Sequence, residues 1–271
     1  MLLSIITINR NNAAGLEKTV RSVASQTFKE FEYVVIDGAS TDESVEVIKR
    51  HESDLTHLKW HSEPDMGIYN AMNKGIRMAK GDYLHFLNSG DWLVDENVVK
   101  DVLETIPDCD IFVGNVIQVK DKGEKRYCKN NKEVSLLTFY RGTIQHTSAY
   151  IRRELFEKFG LYDESLRIVS DWKWYLQVAG LNKADVRFTD RYITYFDMSG
   201  ISSTNKALDQ AERRQVLEEL VPEPILADLD NHYFDIDQMS RLKKYPMIYK
   251  LIWFTERVLF KMEKRKVKKG W

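Results

Sequence analysis

The chain has 271 residues and a mass of 31.8 kDa, enough to bury a large core as one sizeable domain or one domain plus an extension. Hydrophobic residues make up 43% and charged residues 30%, with only 5 prolines and 13 glycines, which excludes disordered, collagen-like and linker-rich chains. The formal net charge of -1 gives no global reason to bind nucleic acid, and the 2 cysteines, Cys109 and Cys128, exclude a disulfide scaffold and a cysteine-based zinc site. A reduced, cytoplasmic setting is expected. Leu2 to Ile8 is too short for a secretion signal and has no basic residues before it. No run reaches the roughly 18 apolar residues of a membrane span; Ile248 to Phe260 comes nearest, broken by Lys250, Glu256 and Arg257.

Along the first third, strand and helix signals alternate. Leu3 to Ile8 is β-rich and apolar, as a strand buried on both faces should be. Leu16, Val20 and Val23 recur at helical spacing, and Phe31 to Ile36 reads as a second strand ending at Asp37-Gly38. Ser40 and Glu43 have capping-box spacing before a helix through Val45 and Ile48. A short strand around Leu58 to Trp60, a helix carrying Ile68, Met72, Ile76 and Ala79, and a strand from Tyr83 to Leu87 complete the series. This order predicts an α/β fold with a mostly parallel sheet covered by helices on both faces. Ligands of such sheets bind beyond the carboxyl ends of the strands. Thr7 with Asn9, Asp37, and Asn88 with Asp91 occupy those ends, so distant segments should converge on one edge.

From about 95 to 200 the signals are mixed. Ile111 to Val119 alternates as a strand should, and Asp121-Lys122-Gly123 reads as a turn. Arg152 to Phe159 looks helical and stops at Gly160, and Ser170 is placed to cap a helix bearing Trp172, Tyr175, Leu176 and Ala179. Ala207 to Leu220 is a charged helix broken at Val221-Pro222-Glu223-Pro224, and Pro246 to Met262 is aromatic and helical. The expected organisation is a domain over 1–205, with halves 1–94 and 95–205, and a helical extension over 206–271.

Several residues suit ligand chemistry. Asp37 at a strand end can accept from the N–H groups of a base or from ribose hydroxyls, whereas Ser40 to Asp42 read as helix caps. No Gly-x-Gly-x-x-Gly or Gly-x-x-x-x-Gly-Lys-Ser/Thr occurs, so phosphate would have to be neutralised by a metal and side chains. Lys74, beside Asn70 and Asn73, suits that task better than Arg77 or Lys80. Asp91, just past a buried strand, is either a turn residue or a ligand for a hard cation, which prefers carboxylates and phosphate oxygens.

Three stretches, Ser4-Ile5-Ile6-Thr7-Ile8-Asn9-Arg10-Asn11, Thr19 to Gln26 and Val34-Val35-Ile36-Asp37-Gly38-Ala39-Ser40-Thr41-Asp42, resemble family 2 glycosyltransferases of the GT-A fold. The resemblance continues through Glu63 to Gly75 and Gly81 to Asp91 and covers residues 1 to about 200. It implies a GT-A, Rossmann-like sheet and a nucleotide-sugar half over 1–94 with an acceptor half over 95–205. It implies that Thr7, Asn9, Arg10 and Asp37 hold the nucleoside, and that Asp65 and Lys74 line the diphosphate site. Asn88, Ser89, Gly90 and Asp91 stand at the Asp-x-Asp metal motif. Asn88 and Gly90 replace the usual aspartates, leaving Asp91 as ligand for Mg²⁺ or Mn²⁺, as in an Asn-Ser-Gly-Asp branch of the family. The family's general base falls on Asp171 in Val169-Ser170-Asp171-Trp172. Such a base takes the proton of an acceptor hydroxyl as it attacks the anomeric carbon, and one direct displacement inverts that centre. His146 is a candidate contact to donor, metal or acceptor; Trp172 and Trp174 are sugar platforms or core.

The resemblance thus implies an inverting enzyme that moves a sugar from a nucleotide diphosphate, UDP foremost, to a saccharide or lipid-linked hydroxyl in glycan biosynthesis. The missing aspartates leave a non-catalytic nucleotide-sugar binder as the alternative. At the C-terminus, an aromatic amphipathic helix joined to Lys261, Lys264, Arg265, Lys266, Lys268 and Lys269 suits an anionic membrane surface, on the inner face of the cell membrane. Packing on the domain or on a second subunit of a homo-oligomer is the competing expectation.

Overall fold

The apolar run near the N-terminus becomes β1 (Leu3–Asn9), buried at every position. It lies between β2 (Glu32–Asp37) and β4 (Tyr83–Phe86), parallel to both, and β3 (Leu58–Ser62) extends the parallel set beyond β2. Period-two alternation splits these strands between two apolar layers. Leu3 and Ile5 pack with Leu16, Val20 and Val23 of α1 (Ala13–Ala24) and with Val47 and Ile48 of α2 (Ser44–Arg50). Ile6 faces α3 (Ile68–Met78), which approaches so closely that a Cβ on Gly75 would stand 2.5 Å from the Ile6 Cγ2. Burying each of these aliphatic side chains contributes on the order of 1.5–3 kcal/mol.

The computed structural model describes residues 2–120, 123–130, 132–200 and 204–268. After α4 (Val98–Thr105) the second half of the sheet mixes directions. β8 (Ala149–Arg152) is antiparallel to β4 and to β6 (Ile111–Val119), and β9 (Val186–Asp197) runs parallel to β6. Two short strands, β5 (Trp92–Leu93) on β9 and β7 (Lys125–Cys128) on β6, are antiparallel. The full order is β3-β2-β1-β4-β8-β6-β9-β5 with β7 beside β6. The α/β class and helix-flanked sheet are as expected, with parallel pairing concentrated in the first half.

These directions decide which residues share an edge. β1, β2, β4, β6 and β9 all point the same way, so their carboxyl ends meet there. β8 runs against them and brings its beginning to that edge, preceded by the 3₁₀ turn His146–Ser148. Further elements of this half are α5 (Leu136–Arg141), α6 (Glu154–Phe159), and α7 (Ser170–Tyr175), which continues as a π-helical turn over Leu176–Leu181. Gly160 ends α6 at a φ of 87°, the left-handed region where glycine costs least.

Two local expectations differ. No capping box forms between Ser40 and Glu43, because the Ser40 hydroxyl donates to Asp37 and accepts from the Asn11 amide. Ser170 lies inside α7 rather than capping it, and its buried hydroxyl has no partner among the described residues. Of the Asp121-Lys122-Gly123 turn, Asp121 and Lys122 lie outside the described residues; Gly123 has a φ of 78°.

The chain divides into two units, Met1–Val216 and Leu217–Trp271. The charged helix expected from Ala207 is α8 (Lys206–Leu220), most of which belongs to the first unit. The second unit carries α9 (Glu223–Leu242), opened by Pro222 and Pro224, and α10 (Pro246–Lys268).

Candidate active site

A cavity of about 950 Å³ opens at the shared strand edge, large enough for a drug-sized or nucleotide-sized ligand. Asn9, Arg10, Asp65, Asn88, Ser89, Gly90, Asp91, His146, Asp171 and Trp172 line it, together with Asp197 and the first turns of α8. Most residues singled out from the sequence therefore converge, although up to 163 positions separate them.

The β4 end supplies Asn88 to Asp91. Gly90 has a φ of 106°, a conformation that lets the chain turn back so that Asp91 points inward. The Thr19 hydroxyl pins this turn, accepting from the Gly90 amide at 3.0 Å and donating to the Asp91 carbonyl at 2.7 Å. Asp91 is buried, and its Oδ1 accepts the Asp197 amide at 2.8 Å. Pairing of Trp92 with Tyr195 sets the two strands in register, which carries Asp197 to the side of Asp91. Burial pushes the Asp91 carboxyl up to about 7, and the Asp197 charge pushes the same way against the Asp197 amide and His146. Asp197 is the principal residue that sequence reasoning missed. Its one local signal is an acidic side chain closing an apolar-aromatic strand.

Asp171, in the first turn of α7, accepts from the Tyr69 hydroxyl at 2.8 Å and faces His146 Nδ1 at 3.3 Å. Burial works against its charge, but His146 and Tyr69 more than offset that, and its pKa lies below the usual carboxylate value. His146 moves the other way: burial opposes its protonation, yet the Asp171 hydrogen bond and the charges of Asp171 and Asp91 raise it. Asp171 is thus held ionised at neutral pH at the cavity wall. The loop before it is fastened by Glu212 of α8, whose carboxylate accepts the amides of Arg167, Ile168 and Val169 at 2.8, 2.9 and 3.3 Å. The Ile168 carbonyl also contacts the Tyr69 hydroxyl.

Other expected residues serve the scaffold. Thr7 is fully buried, bonded to the Leu87 carbonyl at 2.7 Å and the Tyr33 hydroxyl at 2.9 Å, and does not line the cavity. Its side chain points between the sheet and the helices rather than off the strand end. Asp37 is also fully buried and off the cavity wall. Its oxygens accept from Asn9, from the Ser40 amide and hydroxyl, and from Ser62 at 2.6 to 2.9 Å. Burial opposes its charge, but these donors lower its pKa. Lys74 sits off the cavity wall, bound to Glu63 at 2.7 Å and the Pro64 carbonyl at 2.9 Å. Trp172 reaches the wall but is core: it is buried, its indole donates to Gly142 at 2.8 Å, and Arg213 lies 4.7 Å over its ring. Trp174 is buried against Phe156 and lies off the cavity.

Asp65 reaches the cavity through a close approach. A Cβ on Gly38 would lie 2.1 Å from the Asp65 carboxylate, so a larger residue there would push that carboxylate from its present place. Arg10 Nη1 stands 3.5 Å from Asp65, more than half exposed. Two buried acceptors at the wall, Asn9 Oδ1 and Asn88 Oδ1, have no partner among the described residues. Such atoms are rare in folded proteins, and both belong to residues of the cavity wall. Asp91, Asp197 and Asn88 all line the wall and carry side-chain oxygens, the donor type that Mg²⁺ and Mn²⁺ prefer. Among the described residues no three His, Cys, Asp or Glu side chains form a cage, so a cation held here would need oxygens from a ligand.

The family model described as "Glycosyl transferase family 2" matches residues 4–164. An uncharacterized glycosyltransferase of Mycobacterium tuberculosis is 34% identical over 185 residues, covering 65% of this chain and 68% of the relative. A PGL/p-HBAD biosynthesis glycosyltransferase of Mycobacterium bovis is 30% identical over 208 residues, covering 75% and 80%. Among solved structures, S. aureus TarS 1–349 in complex with UDP-GlcNAc superposes with a TM-score of 0.65 at 20% identity, covering 86% of this chain and 75% of that one. The mannosyltransferase PcManGT from Pyrobaculum calidifontis, in complex with GDP-Man and Mn²⁺, gives 0.57 at 16%, covering 78% and 60%. These two likenesses show the fold.

Proposed function

The chain belongs to glycosyl transferase family 2, and from that premise we propose that it is an inverting enzyme that transfers a sugar from UDP to a saccharide or lipid-linked hydroxyl. The observation that carries this reading is the convergence on one 950 Å³ cavity of an ionised Asp171 and the Asp91–Asp197 pair, with His146 in electrostatic reach of both Asp171 and Asp91. A base on one side and a site for a charged leaving group on the other are the two requirements of a direct displacement.

In this reading Asn9, Arg10 and Asp65 hold the nucleoside, with Asp37 and Thr7 fixing Asn9 and the strand end from behind. Asn88, Asp91 and Asp197 would hold Mg²⁺ or Mn²⁺, which when bound neutralises charge on the leaving diphosphate. Arg167 and Lys206, both on the cavity wall, supply donors to the diphosphate. The acceptor oxygen attacks the anomeric carbon from the Asp171 side. Its proton passes to a carboxylate oxygen of Asp171 while the bond from that carbon to the diphosphate oxygen breaks, and UDP leaves. Tyr69 and His146 hold the carboxylate in place and keep it charged before attack. The complex of TarS with UDP-GlcNAc and the PGL/p-HBAD biosynthesis name of the Mycobacterium bovis relative support a UDP-sugar and a glycan product. Asp197 supplies the second carboxylate that the Asn-Ser-Gly-Asp stretch lacks, which weighs for catalysis over a binding-only role.

A thermal-shift panel of UDP, GDP and their sugars, with Mn²⁺ and with EDTA, tests the reading. A ligand that prefers the native state raises the melting temperature, by ~2.7 kcal/mol of stabilisation at a hundredfold excess over Kd. UDP compounds should do so, and more with Mn²⁺. Stabilisation by GDP compounds alone would overturn the donor assignment.

A further inference from the structure

The last part of the chain segregates charge. Residues 243–271 hold 10 Lys or Arg against 2 Glu, a net +8, while the remaining residues carry -9. Within this segment α10 runs over 23 residues, about 34 Å at the usual rise per residue. At about 100° per residue, Ile248, Leu251, Ile252, Val258 and Leu259 fall on one arc of the helix, and Lys250, Arg257 and Lys261 fall opposite. Trp253, Phe254 and Phe260 lie toward the basic side. Eight large apolar side chains from Met247 to Phe260 are between 42% and 87% exposed. Ile248, Leu251, Val258 and Leu259 among them lie on the aliphatic arc, and an exposed apolar face marks an interaction surface.

We propose that α10 docks on an anionic lipid surface, lying in the headgroup layer with its aliphatic arc toward the acyl chains. Among the described residues no helix is long and apolar enough to cross a membrane, so α10 would lie on the bilayer rather than span it. Aliphatic residues on one arc, lysines on the other and aromatic rings between them match the gradient from acyl chain through headgroup to water. The charge decides between occupants. A second copy of α10 packed on the same arc would bring together two helices that each carry 7 Lys or Arg against 2 Glu, which opposes pairing. Phosphate-bearing lipids supply the missing negative charge. The proposal does not depend on glycosyl transfer, because binding is read without donor or acceptor.

The full chain should sediment with vesicles of phosphatidylcholine mixed with phosphatidylglycerol, and at least about tenfold more weakly with phosphatidylcholine alone. Raising salt to about 1 M, where the Debye length is about 3 Å, should release most of it. Leu251→Glu with Leu259→Glu should weaken vesicle binding at least about tenfold while the melting temperature of the first unit stays at the wild-type value. Equal binding to both vesicle types, or none to either, would overturn the proposal. So would a concentration-dependent dimer that the double variant abolishes, in a chain that ignores anionic vesicles.

Discussion

Asp171→Asn isolates the proton acceptor with little change of shape. Asparagine keeps a carbonyl oxygen for the Tyr69 hydroxyl, now 2.8 Å from Asp171 Oδ1, and the backbone of α7 is untouched. What is lost is a carboxylate held ionised by His146 at 3.3 Å. Removing a general base costs ~10²–10⁴ in kcat, or ~3–5 kcal/mol of barrier. The His146–Asp171 pair is partly exposed, with side chains 21% and 17% accessible. Its loss should therefore cost between the ~1 kcal/mol of an exposed pair and the ~3 kcal/mol of a buried one. Donor hydrolysis uses water as acceptor and needs the same proton removal, so UDP release from UDP-GlcNAc with Mn²⁺ is a sufficient assay. The variant should fall at least about a hundredfold in rate while calorimetric affinity for UDP stays close to wild type. Turnover at the wild-type rate would refute the base assignment. Equal loss of UDP affinity would assign Asp171 to binding instead.

Three further outcomes follow from the same geometry. Asp197→Ala should weaken UDP binding by about 10–100-fold in Mn²⁺ and little in EDTA; unchanged metal dependence by calorimetry would remove Asp197 from the donor set. Glu212→Ala frees three amides that bond a carboxylate, and hydrogen bonds to charged groups contribute ~1.5–3 kcal/mol each. It should lower both the melting temperature and kcat with UDP affinity retained, and Glu212→Gln should restore part of both; wild-type kcat in Glu212→Ala would show that the loop needs no such anchor. Burial lowers the His85 imidazole to about 4, so below its unfolded value of about 6.5 the unfolded chain binds a proton that the native state refuses. Stability from this group is present above pH ~6.5 and lost as pH falls toward ~4. Asp91, raised to about 7, works in the opposite direction over the same range and offsets His85 in the metal-free wild type. His85→Phe should gain about 2 kcal/mol relative to wild type between pH ~7 and ~4.5 in urea titrations; a pH-independent difference would contradict the account of His85.

Much of the fold was legible because its signals are local. The Leu3 to Ile8 run, the Leu16–Val20–Val23 spacing and the strand ending at Asp37 each declare an element within a few residues, and their alternation implies a sheet edge where Asn9, Asn88 and Asp91 meet. The second half was less legible because its strands pair at long range and in mixed directions. β5 is two residues long and exists by pairing with β9, a hundred residues later. That pairing carries Asp197 to Asp91, so no sequence window held the cue. Side-chain direction was the other gap. In a strand buried on both faces, Thr7 carries no alternation to show which way it points, and it turns to Tyr33 and Leu87. Lys74 is engaged by Glu63 and the Pro64 carbonyl, a pairing that no sequence spacing announced. Nothing in the charged run Ala207 to Leu220 marks Glu212 out, yet its burial against three amides ties α8 to the loop before Asp171.

A crystal of the full chain grown with UDP and Mn²⁺, measured at the manganese absorption edge, tests the central claim most directly. The account predicts an anomalous peak bonded to Asp91 and to diphosphate oxygens, beside Asp197, with the Asp171 carboxylate facing the open side of the β-phosphate. A metal or a nucleotide bound away from the Asp91–Asp197 pair would contradict it.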